Sequence, residues 1–290
     1  NWDFSKLSTV KYQTNEYELN EGFQNISIET DTADIVLVPS ENGKSSVVCY
    51  EQKNLKHSVT VKDETLVIEV VDTREWYEHI GIFFSTPKIT VYLPQSEFGK
   101  LSVRSDTGDV KIPKDFKFRS IDISQSTGDA TNYASASDYI KIKTSTGDIR
   151  VENISAGMLD LTASTGNVTA ADVTSDGSVI IDISTGRTNL SNITCKNVVS
   201  DGSTGDMILK NVIAVEKISI KISTGDISLS GCDAAEIFLK TSTGDVKGNL
   251  LSDKVFFAES NTGKVNVPKT MTGGRCEIYT STGNIKIEIK

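Results

Sequence analysis

Histidine is nearly absent from this chain, with two in 290 residues, His57 and His79. Proline is scarce at five, cysteine at four, and aromatic residues make up only 7%. Each shortage excludes something. A nucleophilic relay needs an imidazole beside a nucleophile and an orienting carboxylate. Both histidines fall before the repetitive part of the chain and read as surface residues. No nucleophile-elbow or phosphate-loop sequence is present, and no cysteine pair has zinc-finger spacing. No run of about 18 apolar residues occurs, so no segment has the composition of a membrane-spanning helix. Basic runs are missing as well. With a net charge of -9 and a pI of about 4.9, nucleic acid is not an expected partner, since phosphate binding requires clustered Lys and Arg. The chain begins at Asn1 rather than Met, the pattern of a trimmed product. Any signal peptide or anchor is expected to lie upstream of this sequence.

What the sequence does have is a repeat. The Gly of each Thr-Gly pair falls at Gly108, Gly128, Gly147, Gly166, Gly186, Gly205, Gly225, Gly244, Gly263 and Gly283. The successive intervals are 20, 19, 19, 20, 19, 20, 19, 19 and 20. A period this regular marks a solenoid, in which each unit covers the apolar face of the next.

Alignment on that Gly separates inside from outside, because residues two apart on a strand share a face. Leu101, Ile121, Ile140, Leu159, Val179, Val198 and Ile218 stand seven before it, and Ile142, Leu161 and Ile181 five before it. Val110, Ile149, Val168 and Ile227 stand two after it; Ile154, Val173, Ile193, Val212, Cys232 and Leu251 stand seven after. Most residues between are Lys, Asp, Ser and Thr. Two short strands joined by a Gly turn every 19 or 20 residues leave no room for a helix. The expected fold is all-β: a parallel β-solenoid of about 11 coils, wound right-handed as parallel crossovers favour. Gly supplies the positive φ of a tight corner. Asn153, Asp172, Asn192 and Asn211, six after the Gly, mark a second corner, because Asn and Asp tolerate left-handed backbone.

The same phase reappears upstream in "ISIETDTADIVLV", where Ile26, Ile28, Ile35 and Leu37 flank Ala33 at the place of the Gly. This is a degenerate first coil. The segments "SSVVCYE", "HSVTVKD", "ETLVIEVV" and "KITVYLP" then alternate like strands of a hairpin or small sheet. Bare solenoid ends expose unpaired strand edges, so these strands are expected to cap one. The expected organisation is a lead-in over 1–22, the first coil over 23–43, a capping insertion over 44–97 and the repeats over 98–290. Trp76, Tyr77, Phe83 and Phe84 in "EWYEHIGIFF" are expected to plug that end, with a membrane-dipping or ligand-binding loop as the alternative.

The tandem "STGD" coils, the "ITVYLP" strand, "GCDAAEIFLKTSTGDV" and "VPKTMTGGRCEIYTSTGNIKI" resemble the bacterial putative-adhesin family of β-strand repeat proteins, a domain of unknown function. The resemblance runs from about residue 10 to 290. It implies a cell-envelope protein behind an N-terminal signal or membrane segment, often in Gram-positive bacteria, and it supplies no catalytic motif.

The carboxylates are candidates for chemistry. Asp109, Asp129, Asp148, Asp206, Asp226 and Asp245 follow the corner Gly, and stacking makes them a ladder that could chelate Ca²⁺. Asn167, Arg187, Lys264 and Asn284 occupy the same position in other coils, so solvated, turn-stabilising Asp is the expected reading. Asp182, Asp201 and Asp160 could mimic a glycosidase pair, yet nothing deep or aromatic surrounds them. Cys195, Cys232 and Cys276 sit in separated coils, about 9.6 Å apart for two steps and beyond disulfide reach. They are expected to be buried free thiols, and Cys49 is unassigned.

One outward column is apolar: Ile180, Val199, Phe238 and Phe257, with Tyr279 nearby on the same side. It is the candidate contact face for a protein, a cell-wall glycan or a second copy, unless a loop covers it. The expected function is a non-enzymatic surface adhesin or envelope scaffold without cofactor or metal. The alternatives are a solenoid polymerising end to end, because "NIKIEIK" ends on a strand with no evident cap, and a polysaccharide-active enzyme. An ice-binding Thr face is disfavoured, because Thr107 to Thr282 precede corner glycines.

Overall fold

A computed structural model of the chain describes residues 10–75 and 85–290. The expected plug of Trp76, Tyr77, Phe83 and Phe84, and also His79, lies outside the described residues. All regular structure among the described residues is β-strand, so no helix is present there to cross a membrane. The chain divides after Ala134 into two compact units. Each is a parallel β-solenoid.

The first unit holds β1 (Tyr12–Leu19), β2 (Asn25–Thr32), β3 (Asp34–Pro39), β4 (Ser45–Gln52), β5 (Leu55–Lys62), β6 (Thr65–Asp72), β7 (Lys88–Leu93), β8 (Glu97–Thr107), β9 (Val110–Ile112), β10 (Lys117–Thr127) and β11 (Ala130–Asn132). The degenerate coil is β2 and β3, bent at Ala33. On one side it pairs in parallel with β8 and β9, placing Ile28 opposite Val103 and Ile35 opposite Val110. On the other it pairs in parallel with β6 and β7, placing Ile28 opposite Ile68 and Ile35 opposite Ile89. The first coil in sequence is therefore the second rung in space. Half of the inserted segment forms the outermost rung, and the other half covers it. β5 lies antiparallel on β6, β4 antiparallel on β7, and β1 antiparallel on β4.

The second unit holds β12 (Ser135–Thr146), β13 (Ile149–Ala156), β14 (Leu159–Thr165), β15 (Val168–Ser175), β16 (Ser178–Thr185), β17 (Thr188–Thr204), β18 (Met207–Thr224), β19 (Ile227–Cys232), β20 (Glu236–Thr243), β21 (Val246–Leu250), β22 (Lys254–Ser260), β23 (Val265–Asn266), β24 (Gly274–Thr282) and β25 (Ile285–Ile289). Equal offsets from the corner glycine stack as expected. Ile142 faces Leu161, then Ile181, Ser200, Ile220, Leu239 and Ile278 in turn, all buried. Interdigitated Ile, Leu and Val from successive rungs fill the interior, and the alternating residues face water.

The order of the last rungs departs from the sequence. β20 pairs with β24, and β24 pairs with β22; β21 pairs with β25, and β25 with β23. The C-terminal coil is thus slotted between the coil of Gly244 and the coil of Gly263. A pair of glycines admits the returning chain. A Cβ on Gly273 would strike the carbonyl oxygen of Asp253, and one on Gly274 that of Ala235, the rungs on either side of the slot. "NIKIEIK" is therefore an interior rung and not a bare end, which corrects the expectation. The outermost rung is looser: Val265, in an inward column, is 42% exposed. Leu251 also leaves its expected column, at 50% exposed. A register shift between Leu229 and Cys232 sets Leu250 opposite Cys232, and Leu250 takes the buried place.

The corners follow from backbone sterics. Gly147, Gly166, Gly186, Gly205, Gly225, Gly244 and Gly283 have φ between 137° and 150°, and a Cβ on Gly205 would collide with the carbonyl oxygen of Gly186 below it. The second corner is left-handed at Asn153, Asp172, Asn192 and Asn211, with φ of 52° to 54°. The Asn192 amide donates to Asp172 at 2.9 Å, and the Asn211 amide to Asn192 at 3.1 Å.

Candidate functional site

The residue after most corner glycines has an amide N–H that donates to the side chain at the same position of the neighbouring rung. In the second unit the Asn167 N–H donates to Asp148 Oδ1 at 2.7 Å, Arg187 to Asn167 at 3.0 Å, Asp226 to Asp206 at 3.0 Å and Asp245 to Asp226 at 2.8 Å. The chain of bonds continues through the slotted coil, from Asn284 to Asp245 at 2.7 Å and from Lys264 to Asn284 at 3.0 Å. The first unit begins the same pattern at Asp34, which accepts from Asp109, which accepts from Asp129. This column is a capping device: each side-chain oxygen satisfies a corner amide that the strand ladder does not use. Lys264, which has no acceptor, stands in the outermost rung, where no further corner needs one.

The contact-face residues do share the outward side of the second unit. Ile180 faces Val199, Val199 faces Ser219, and Ser219 faces Phe238. Because of the slotted coil, Phe238 and Phe257 both face Glu277 and not each other. The column is therefore two patches, an aliphatic one at Ile180 and Val199 and an aromatic one further along. In the aromatic patch the Phe238 and Tyr279 rings are 6.1 Å apart. Lys221 Nζ lies 5.7 Å from the Phe238 centroid, and the Arg275 guanidinium lies 4.4 Å from that of Phe257. Arg275 pairs with Glu277, to which the Tyr279 hydroxyl donates at 3.3 Å. Cations over ring faces and a carboxylate between them make this an amphipathic surface. It is not a greasy one. Phe257 is 46% exposed and Val199 37%.

Asp182 and Asp201 are directly paired across neighbouring strands, and Lys221 and Lys240 continue their column. They stand exposed on a strand face, and Asp160 lies in the adjacent column opposite Ile180. They border a shallow, open depression of about 390 Å³ that Lys221 and Lys240 also line, which does not enclose a substrate.

Sequence reasoning missed one cluster. His57, expected at the surface, is buried in the first unit at 4% exposure. Its Nδ1 faces Glu51 Oε2 at 2.8 Å, and its backbone N–H donates to the same oxygen at 2.7 Å. Its Nε2 faces Thr30 Oγ1 at 2.7 Å. The Asn15 amide donates to Glu51 Oε1 at 2.6 Å. Cys49 completes the group: one ligand atom from each of Cys49, Glu51 and His57 lies within 4.8 Å of the others. Burial, with the Glu51 carboxylate beside it, pushes the Cys49 thiol up to about 12. A Thr-His-Glu series has the outline of a nucleophilic relay, but Thr30 is 4% exposed, and a nucleophile must be reached by its substrate. The only sequence signal was "CYEQKNLKH", which puts Cys49 and Glu51 on one strand face and His57 across a turn.

Comparison with known proteins fits this architecture. No curated protein is detectably similar. A structure of a putative adhesin from Parabacteroides distasonis is 11% identical with a TM-score of 0.57, over 94% of this chain and 98% of that one. A putative lipid binding protein from the same organism is 14% identical with a TM-score of 0.55, over 96% of this chain and 97% of that one. At such identities the likeness is one of fold. The Toastrack DUF4097 family model matches residues 23–182 and again 174–290, so the chain belongs to that family.

Proposed function

We propose that this is a non-enzymatic cell-envelope protein that presents the outward face of its second unit to a cell-wall glycan, with Phe238, Tyr279 and Phe257 as anchors. The observation that carries the reading is the aromatic patch on the outward face, held by Lys221, Arg275 and Glu277. Sugar rings stack their C–H faces on aromatic rings and hydrogen-bond to neighbouring charged groups. The open Asp182–Asp201 face and the buried Thr30 support a binding role over catalysis. The similar structures, named as a putative adhesin and a putative lipid binding protein, are consistent with a binding role of some kind. Placement at the surface of a Gram-positive bacterium through an N-terminal anchor is part of the proposal.

Co-sedimentation with purified peptidoglycan and isolated cell-wall polysaccharide tests it. The double variant Phe238→Ser/Phe257→Ser is expected to lower the bound fraction about tenfold or more while keeping its melting temperature. Equal binding by both proteins, or none by either, contradicts the proposal. A protein partner or a second copy on the same face would instead show in pull-down or sedimentation equilibrium. Polymerisation end to end is disfavoured by the antiparallel cover of β4 and β5 on the outermost rung of the first unit, which leaves no parallel edge there to extend.

A further inference from the structure

We infer that Cys49, Glu51 and His57 form a zinc site, with water as fourth ligand, that ties together strands β4 and β5 of the cap of the first unit. This inference is independent of the glycan reading.

The three side chains are one each of the thiol, carboxylate and imidazole that zinc accepts, and all are buried. Tetrahedral zinc holds such donors about 3.3 to 3.8 Å from one another, so a set already within 4.8 Å needs side-chain adjustments of about an ångström. No backbone rearrangement is required.

The outer partners of a metal site are already in place. A zinc-bound histidine needs its second ring nitrogen hydrogen-bonded, and a zinc-bound carboxylate its second oxygen. Thr30 Oγ1 stands 2.7 Å from His57 Nε2, and the Asn15 amide 2.6 Å from Glu51 Oε1. Nδ1 and Oε2 face each other, with Oε2 also accepting the His57 backbone N–H at 2.7 Å and the Cys49 thiol alongside. On binding, the thiol proton leaves to solvent and sulfur coordinates as thiolate. The imidazole changes tautomer, so that Nδ1 coordinates and Nε2–H donates to Thr30. Thiolate, carboxylate and Zn²⁺ sum to zero charge, which suits a buried site better than a carboxylate facing one imidazole.

The ligands tie together the parts of the cap. Cys49 and Glu51 come from β4 and His57 from β5, while Thr30 belongs to β2, the rung beneath the outermost one. Occupancy would stabilise the covered end by an amount that grows with the logarithm of free metal above its Kd.

The test uses the full chain, stripped with chelator and dialysed against zinc or cobalt. One equivalent of zinc is expected, with a thiolate-to-cobalt charge-transfer band in the cobalt form. The melting temperature should rise by about 5 °C at zinc a hundredfold above its Kd. Cys49→Ser should lose the band and the shift, while Cys195→Ser, which removes a buried thiol elsewhere, should keep both. Should Cys49→Ser fail to fold, His57→Gln serves in its place and should likewise lose zinc stoichiometry. Substoichiometric zinc with no cobalt band, or metal retained undiminished by both variants, overturns the inference.

Discussion

Gly244 and Gly263 are consecutive corners in the sequence, yet they are not neighbours in the stack. Gly283 stands between them: its Cβ, if it had one, would meet the carbonyl oxygen of Gly244, and a Cβ on Gly263 would meet that of Gly283. The Gly244 N–H donates to Thr282 at 2.9 Å and the Ile285 N–H to Lys264 at 2.8 Å. The first unit repeats this arrangement, with β2 and β3 held between β6–β7 and β8–β9. In each unit one rung is therefore held on both sides, by rungs that are not both its neighbours in sequence.

Corner glycines should be intolerant of any side chain. Gly205→Ala places a methyl group against the Gly186 carbonyl at a φ of 137°, and is expected to cost about 4 kcal/mol or more in urea unfolding. Gly43→Ala, at a φ of 70° with no atom within 4 Å, should cost only about 1 kcal/mol. Equal effects at the two sites would contradict the stacked-corner geometry.

The Asp column predicts a graded series. Asp226→Ala removes the acceptor of the Asp245 N–H and should cost about 1 to 2 kcal/mol. Asp226→Asn should be nearly neutral, because Asn167 and Asn284 make the same bond. Arg187 cannot accept from the next corner amide, so Arg187→Asn should stabilise by about 0.5 to 1 kcal/mol. Ca²⁺ should leave these values unchanged, and a large melting shift reversed by chelator at this column would refute the capping role.

Alkali should weaken the fold through its thiols. Burial pushes Cys195 up to about 11 and Cys276 up to about 12. The folded chain keeps these protons while the unfolded chain loses them near pH 9, so their contribution is fully present below that pH and declines as pH rises. Each thiol should remove about 1.4 kcal/mol of stability per pH unit between about 9 and 11. Urea midpoints for wild type and Cys276→Ala across that range give the difference in slope. Parallel slopes would contradict the assigned burial.

The period, the inward columns and both corners were legible in the sequence, because each rung repeats the same steric requirement at Gly and Asn. Rung order was not. Strands such as those around Phe256 and Cys276 carry equivalent offsets, so either coil could stack on the coil of Ile237. The clue was the Gly273–Gly274 pair, which only makes sense where two rungs press on the backbone. His57 was misplaced for a related reason: its burial depends on Glu51 and Thr30, brought to it by strand pairing that no local pattern announces. The outward column is continuous in sequence order but not in space, because Glu277, from the slotted coil, lies between Phe238 and Phe257.

The stacking order itself is tested most directly by disulfide trapping with cysteine pairs on the outward face. Lys240 faces Tyr279, and Tyr279 faces Glu259, so Lys240 and Glu259 are separated by a full rung, about 9.6 Å. Under mild oxidation the pair Lys240→Cys/Tyr279→Cys should cross-link, and Lys240→Cys/Glu259→Cys should not. The reverse result, with the second pair linked and the first free, would mean that the coils stack in sequence order and that the slotted rung does not exist.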